Sequence, residues 1–317
     1  MVAPLIAIAL LAAAPHAAGE LLTSHMTPAD SLIRTGETHF AHLWRYMSDA
    51  TCPRWSPDSQ NLIVETSGHT SPAFLGSESI VSSVSDSIDT SERWRDAKWA
   101  LHPTNQIQVV HVPTNEVQPL PQTLGAIECN SSPDGKQIVY TATPAIDPEL
   151  YVANSDGSNV RRLTVDQGYD GGGCFSPDGQ LICYQAFHPR LETDKAIYTD
   201  LLAKHLVDTS TLDIWVMHAD GSDRGQVTDL EGTSMEPSFT PDSKRIIFSS
   251  DYQDVAGRQF DLYITKLDGG TPEKITNDPS PDCFPAFSPN GRYLAFTSGR
   301  GAKTAGAQDV FIAEWKK

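Results

Sequence analysis

The sequence predicts an all-β fold, a β-propeller of four-stranded antiparallel blades, and three observations carry that expectation. A Ser-Pro-Asp-Gly-like turn recurs five times along the chain. A short apolar, β-rich run follows each recurrence, and Asp-Gly turns come at matching distances after several of those runs. Repeats of this length are the signature of stacked supersecondary units.

The turns read WSPDS from Trp55, SSPDG from Ser131, FSPDG from Phe175, FTPDS from Phe239 and FSPNG from Phe287. Their hydroxyl residues Ser56, Ser132, Ser176, Thr240 and Ser288 are separated by 76, 44, 64 and 48 positions. Proline presets φ for the first turn position, Asp bonds its own backbone, and Gly accepts the left-handed conformation. The runs that follow, 62–66, 138–142, 181–185, 246–250 and 294–298, are continuous rather than alternating. Such strands expect cover on both faces, and radial stacking supplies it while leaving only short edges.

A further strand opens at an acid in four units, at Glu149, Asp213, Asp261 and Asp309. Hairpin turns follow at Asp156-Gly157, Asp220-Gly221 and Asp268-Gly269. A last short strand ends at Thr164, Thr228 or Thr276, each 12 positions before the next anchor hydroxyl. The final unit stops after Asp309 without its outer strand, so the N-terminal stretch around His42 to Met47 is expected to close it. Five blades are readable, with the strand at Ile107 as the third of the first unit. A sixth follows if residues 68–106 hold a degenerate blade rather than an insertion. A second insertion spans 187–212, where Ile197, Leu201, Leu202 and His205 predict a helix over 194–207.

Residues 1–19 read as a signal peptide: an apolar run from Leu5 to Ala14, then Ala17 and Gly19 in a small-x-small pattern before Glu20. Residues 20–317 read as a single propeller domain. Export makes the location periplasmic or secreted, and no later stretch is apolar enough to insert in a membrane. The formal net charge of −17 argues against nucleic acid and anionic membrane surfaces. It suits cations, basic proteins or neutral glycans, and a monomer is expected. Five cysteines show no metal-finger spacing. Few or no disulfides are expected, with Cys174 opposite Ile182 rather than Cys183.

The anchors, the Asp-led strands such as DIWVMH from Asp213 and DLYITK from Asp261, the Asp-Gly turns and the threonine endings together resemble the TolB-type propeller family of exported proteins. The likeness runs from about Glu37 to Trp315 and is confined to the propeller. It implies a binding or scaffold role without catalysis. The α/β domain with which TolB proteins bind inner-membrane partners is not expected here, because only residues 20–40 precede the first strand. Propellers related to this family also accompany serine hydrolases, but the chain has no Gly-x-Ser-x-Gly elbow. A propeller-type carbohydrate lyase or hydrolase with a channel site is the alternative. It would need histidines converging on the channel, whereas His39 and His42 would face opposite ways on a strand and His111 and His218 fall on third strands.

The candidate site is a set of acids before the anchors. Asp170 and Asp282 precede the anchor hydroxyl by six positions, and Glu128 and Glu236 by four. On a regularly alternating strand, even offsets share a face. The four carboxylates are thus expected at one mouth of the channel, where they would hold a partner's basic group or a divalent cation. No other cofactor is expected. The expected function is a non-catalytic binding protein recognising a protein or glycan on one propeller face.

Overall fold

The computed structural model describes residues 8–10, 26–48, 51–59, 62–65, 73–75, 79–84, 98–101, 106–111, 114, 116–123, 125–143, 147–254, 259–302, 304 and 306–316. Within them six antiparallel sheets of three to five strands follow one another along the chain, besides one two-stranded pair. Sheet I holds Thr51–Trp55, Leu62–Glu65 and Ile8–Leu10. Sheet II holds Ala73–Leu75, Ser79–Val84, Gln106–His111 and Glu116–Leu120. Sheet III holds Ala126–Ser131, Gln137–Ala142, Glu149–Asn154 and Arg161–Arg162. Sheet IV holds Tyr169–Phe175, Leu181–Phe187, Asp213–His218 and Gly225–Gln226. Sheet V holds Ser234–Phe239, Arg245–Ser250, Asp261–Lys266 and Gly269–Lys274. Sheet VI holds Asp282–Phe287, Tyr293–Ser298, Asp309–Trp315, Phe40–Ser48 and Thr27–Pro28.

The first strands of the six sheets touch in sequence, I to II and onward to VI, and that of VI returns to that of I. The apolar core lies between sheets rather than within one. Val139, Leu150 and Val152 of III meet Ile182, Tyr184 and Met217 of IV. Ile247, Leu262 and Ile264 of V meet Leu294, Phe296 and Phe311 of VI. This packing explains why the runs after the anchors are apolar on both faces.

The anchor turns are built alike. Ser56, Ser132, Ser176 and Thr240 each donate to the carboxylate two positions on, at 2.6–2.7 Å, and Ser288 donates to Asn290 at 2.8 Å. In sheet IV the same carboxylate accepts from Gln180 N at 3.0 Å, and Ser176 N donates to Leu181 O at 2.8 Å. The hairpin therefore closes on Ser176 and Leu181, one position beyond the expected register. Cys174 faces Cys183, and Ile182 faces Phe175. No disulfide joins any of the five cysteines.

The strand at Ile107 departs from expectation. It pairs with Ser79–Val84 and Glu116–Leu120, not with sheet I. Thr123 caps it, accepting from Ile107 N at 3.0 Å, as Thr164, Thr228 and Thr276 cap Leu150, Ile214 and Leu262. The stretch 68–106 thus contributes strands to a sheet of its own. In sheet I, Ile8–Leu10 lies beside Leu62–Glu65; the rest of the expected leader lies outside the described residues. At the other end, Phe40–Ser48 pairs with Asp309–Trp315 and completes sheet VI from the N-terminal side, as expected.

Between sheet IV's second and third strands runs helix α1, Glu192–Leu202. It buries Tyr198, Leu201 and Leu202 while Ile197 is exposed, so the helix ends sooner and turns differently than the pattern suggested. Leu206–Asp208 leaves it as a strand paired with Lys98–Ala100, and His205 takes a left-handed φ of 56° between them.

Candidate functional site

The inner strands of five sheets share a bulge four positions before the anchor. Cys52, Glu128, Gly172, Glu236 and Phe284 all have φ between 50° and 62° there, and the pairing slips beside each of them. An added residue of this kind breaks strict alternation. The even-offset argument fails for that reason, and the four candidate acids engage different neighbours.

Glu128 and Glu236 hold one sheet to the next. Glu128 Oε2 accepts from Thr141 Oγ1 at 2.8 Å within sheet III, and from Tyr169 OH at 2.7 Å and Gly172 N at 2.9 Å in sheet IV. Gln185 of sheet IV donates to Glu128 Oε1 at 3.3 Å and accepts from Glu236 N of sheet V at 2.7 Å. Glu236 Oε2 in turn accepts from Ser249 Oγ at 3.0 Å and from Phe284 N of sheet VI at 2.8 Å. A hydrogen-bonded relay thus runs from III to VI, each link satisfying the amide that a bulge leaves out of the ladder. Burial pushes the Glu236 carboxyl up to about 7.

Asp170 and Asp282 are fully buried and lie in equivalent places. Each meets a base 12 positions after its anchor hydroxyl. His188 Nε2 lies 3.1 and 3.2 Å from the two oxygens of Asp170. Arg300 Nη2 donates to Asp282 Oδ2 at 2.8 Å. Burial raises the Asp170 carboxyl and takes that of Asp282 up to about 7. Burial works against the charged form of His188, but the hydrogen bond and charge of Asp170 outweigh it and raise its pKa. Among the described residues no three His, Cys, Asp or Glu side chains gather as a metal-ligand set.

Several residues of this region escaped the sequence reading. Arg54 brings a positive charge to the inner layer and donates to Asn130 Oδ1 at 3.4 Å. Arg300, His188 and Glu37 were not singled out, although counting 12 positions from Ser176 and Ser288 would have found the first two.

The acids that open the third strands form a second repeated set. Glu149 pairs with Arg162, Asp261 with Lys274 at 2.7 Å and Asp309 with Arg45 at 2.9 Å. Asp213 of sheet IV receives Gln226 Nε2 at 3.0 Å and Thr228 Oγ1 at 2.9 Å instead. It lines a cleft of about 240 Å³ with His188, Arg190, Trp215, Gln226 and Asp229. The ring of His188 stands edge-on to Trp215, with centroids 5.0 Å apart.

Repeated sheets touching in a ring through their first strands, with Phe40–Ser48 and Asp309–Trp315 sharing sheet VI, define a β-propeller. Its fold is that of the TolB-type propellers, as the repeat suggested. The profile of the TolB beta propeller domain matches residues 208–312. A protein described as a TolB from Agrobacterium tumefaciens superposes with a TM-score of 0.52 at 20% identity, over 78% of this chain and 69% of that one. The TolB of Acinetobacter baumannii superposes with a TM-score of 0.51 at 16% identity, over 85% of this chain and 55% of that one. An uncharacterised protein of Agrobacterium fabrum strain C58 is 23% identical over 233 residues, which is 69% of this chain and 72% of that protein. Among the described residues no helix is long and apolar enough to cross a membrane.

Proposed function

We propose that this chain is an exported, non-catalytic binding scaffold of TolB-like type, periplasmic or secreted, that recognises a protein or glycan on one propeller face. The observation that carries this reading is the use made of the four candidate acids. Glu128 and Glu236 accept hydrogen bonds from the next sheet, and Asp170 and Asp282 are matched to His188 and Arg300. Side chains occupied in this way brace a ring, and that use supports a scaffold. The TolB-like fold supports the same role, and the net charge of −17 favours partners that carry positive charge.

Two measurements test the proposal. Expressed with its own N-terminus in a Gram-negative host, the protein is expected in the osmotic-shock fraction, beginning at Glu20. Retention in the cytoplasm with Met1 intact would overturn export. Incubated with oligogalacturonate, it is expected to release no unsaturated product. Turnover that survives repurification would replace the scaffold with the lyase reading.

A further inference from the structure

The repeated sheets supply an internal comparison. Tyr151 of III, Trp215 of IV, Tyr263 of V and Phe311 of VI each lie two residues after the acid that opens the third strand. On the next strand outward in its sheet each faces one residue: Arg162, Gln226, Lys274 and Arg45 respectively. In III, V and VI that residue is a cation bound to the acid. In V and VI it also lies over the aromatic ring, with Lys274 Nζ 6.0 Å from the centroid of Tyr263 and Arg45 Cζ 5.4 Å from that of Phe311. Sheet IV keeps the acid and has the largest aromatic ring of the four, but a neutral glutamine stands where the cation belongs.

The same sheet carries the cleft lined by Asp213 and Trp215. Arg190 at its rim donates to Gln226 Oε1 at 3.2 Å, and no ion pair joins it to Asp213. Acids outnumber bases along the walls, with Asp194, Asp213 and Asp229 against His188 and Arg190, and His188 is already matched to the buried Asp170. At about 240 Å³ the cleft falls below the roughly 300 Å³ at which small-molecule pockets begin, and suits the end of a single side chain. Indole is the best ring for holding a cation over its face.

We propose that this cleft takes a basic side chain of a partner protein, whose guanidinium or ammonium group binds Asp213 and covers Trp215 as Lys274 and Arg45 do for their own acids and rings. The proposal rests on the reading of the chain as a binding scaffold and names the chemistry of its partner. Arginine fits better than lysine, because its flat fork can meet a carboxylate and stack on indole together. Asp213, held by Thr228 and Gln226, is pre-organised for it, and the protein's negative charge steers such a partner in.

Titration calorimetry on the mature chain at low salt tests this with three probes: Nα-acetyl-arginine amide, Nα-acetyl-lysine amide and the uncharged Nα-acetyl-citrulline amide. The arginine probe is expected to bind in the millimolar range, the lysine probe more weakly and the citrulline probe not at all. Gln226→Arg puts the missing cation back in the chain. It is expected to melt at or above the parent temperature and to weaken arginine binding about tenfold or more, the worth of one charge-assisted hydrogen bond. Asp213→Asn is expected to weaken it to the same degree and serves if the first variant misfolds. Equal binding of citrulline and arginine, no binding of arginine, or undiminished binding by either folded variant overturns the proposal. In an exported protein without turnover, those results remove the cleft and leave the scaffold reading standing; cytoplasmic retention removes the scaffold reading whatever the probes do.

Discussion

Arg300 grips Glu37 with both terminal nitrogens, at 2.9 and 3.2 Å, and neither side chain is exposed to solvent. Asp282 shares the same guanidinium, which also lies 5.0 Å from the ring of Phe296. Glu37 precedes the strand Phe40–Ser48 that completes sheet VI, so this pair fastens the chain's N-terminal side into the ring.

Arg300→Met leaves two buried carboxylates without a base. Removing one partner of a buried ion pair costs about 3–5 kcal/mol, and the melting temperature is expected to fall by roughly 10 °C. Deleting residues 20–48 removes Glu37 and the closing strand together and is expected to cost more, since it also opens the edge of Asp309–Trp315. Thermal melts check both. A shift under about 2 °C for either variant would mean that the ring does not depend on this closure.

The closure was legible because Asp309 repeats the third-strand pattern and the stretch from Leu43 to Met47 offers an apolar strand. Sheet II was legible only as the alternative of a degenerate blade in 68–106: it has no Ser-Pro-Asp turn, and its strands Ala73–Leu75 and Ser79–Val84 sit in serine-rich sequence that resembles a loop. The bulges were hidden for another reason. Gly172 hints at a left-handed residue, but Glu128, Glu236 and Phe284 give no sign of one, and tertiary contacts impose it. The pairing of Asp170 with His188 joins residues 18 apart across such a bulge, where strand periodicity carries no information.

Thiol titration tests the register at Cys174 and Cys183. The two face each other directly, and Cys183 Sγ lies 3.7 Å from the carbonyl oxygen of Cys174 as a weak donor. Opposed residues of an antiparallel pair lie about 4.5–5.5 Å apart at Cα, within reach of a disulfide. The structure keeps them reduced, so five thiols are expected after denaturation under non-reducing conditions. In the native protein Cys183 and Cys283 should resist alkylation, because burial pushes both thiols well above their usual pKa. A count of three after denaturation would reveal a cross-strand bridge.

Stability is expected to peak on the acid side of neutrality. Burial pushes Glu149, Glu236 and Asp282 up to about 7 and Asp213 up to about 6. In the unfolded chain the same groups ionise near 4, so from about pH 4 to 7 the folded state holds more protons and stability falls as pH rises. His188, with its pKa raised, acts the same way: its contribution is whole below about 6.5 and fades as pH passes its folded value. The turn residues Asp134, Asp178 and Asp242 act oppositely. Hydrogen bonds from Ser132, Ser176 and Thr240 lower them, and their contribution disappears as pH falls below about 4. The melting temperature should therefore be highest at about pH 4–5 and lower at 8. A steady rise from 5 to 8 at constant ionic strength would contradict this.

Glu128, Glu236, Asp170 and Asp282 offer the sharpest contrast between bracing and binding. If Glu236 braces the ring, Glu236→Ala leaves Phe284 N and Ser249 Oγ without their shared acceptor, a loss of about 1–3 kcal/mol. Glu236→Gln keeps a carbonyl oxygen at the same place and should retain most of that stability. The same order is expected for Glu128, where alanine strips Gly172 N and Tyr169 OH of a partner. Asp170→Asn with Asp282→Asn weakens the contacts to His188 and Arg300 and should also destabilise. A divalent cation at the channel mouth predicts a different pattern. Calcium or magnesium would then raise the melting temperature by mass action, and the double asparagine variant would lose that gain while relieving repulsion in the ion-free protein. Melts of the parent and all five variants, with calcium, magnesium or chelator, separate the two. Identical melting in every ion, with alanine below glutamine at both glutamates, is the outcome that bracing requires. A cation-dependent rise abolished by the asparagines would instead make these four carboxylates a binding site.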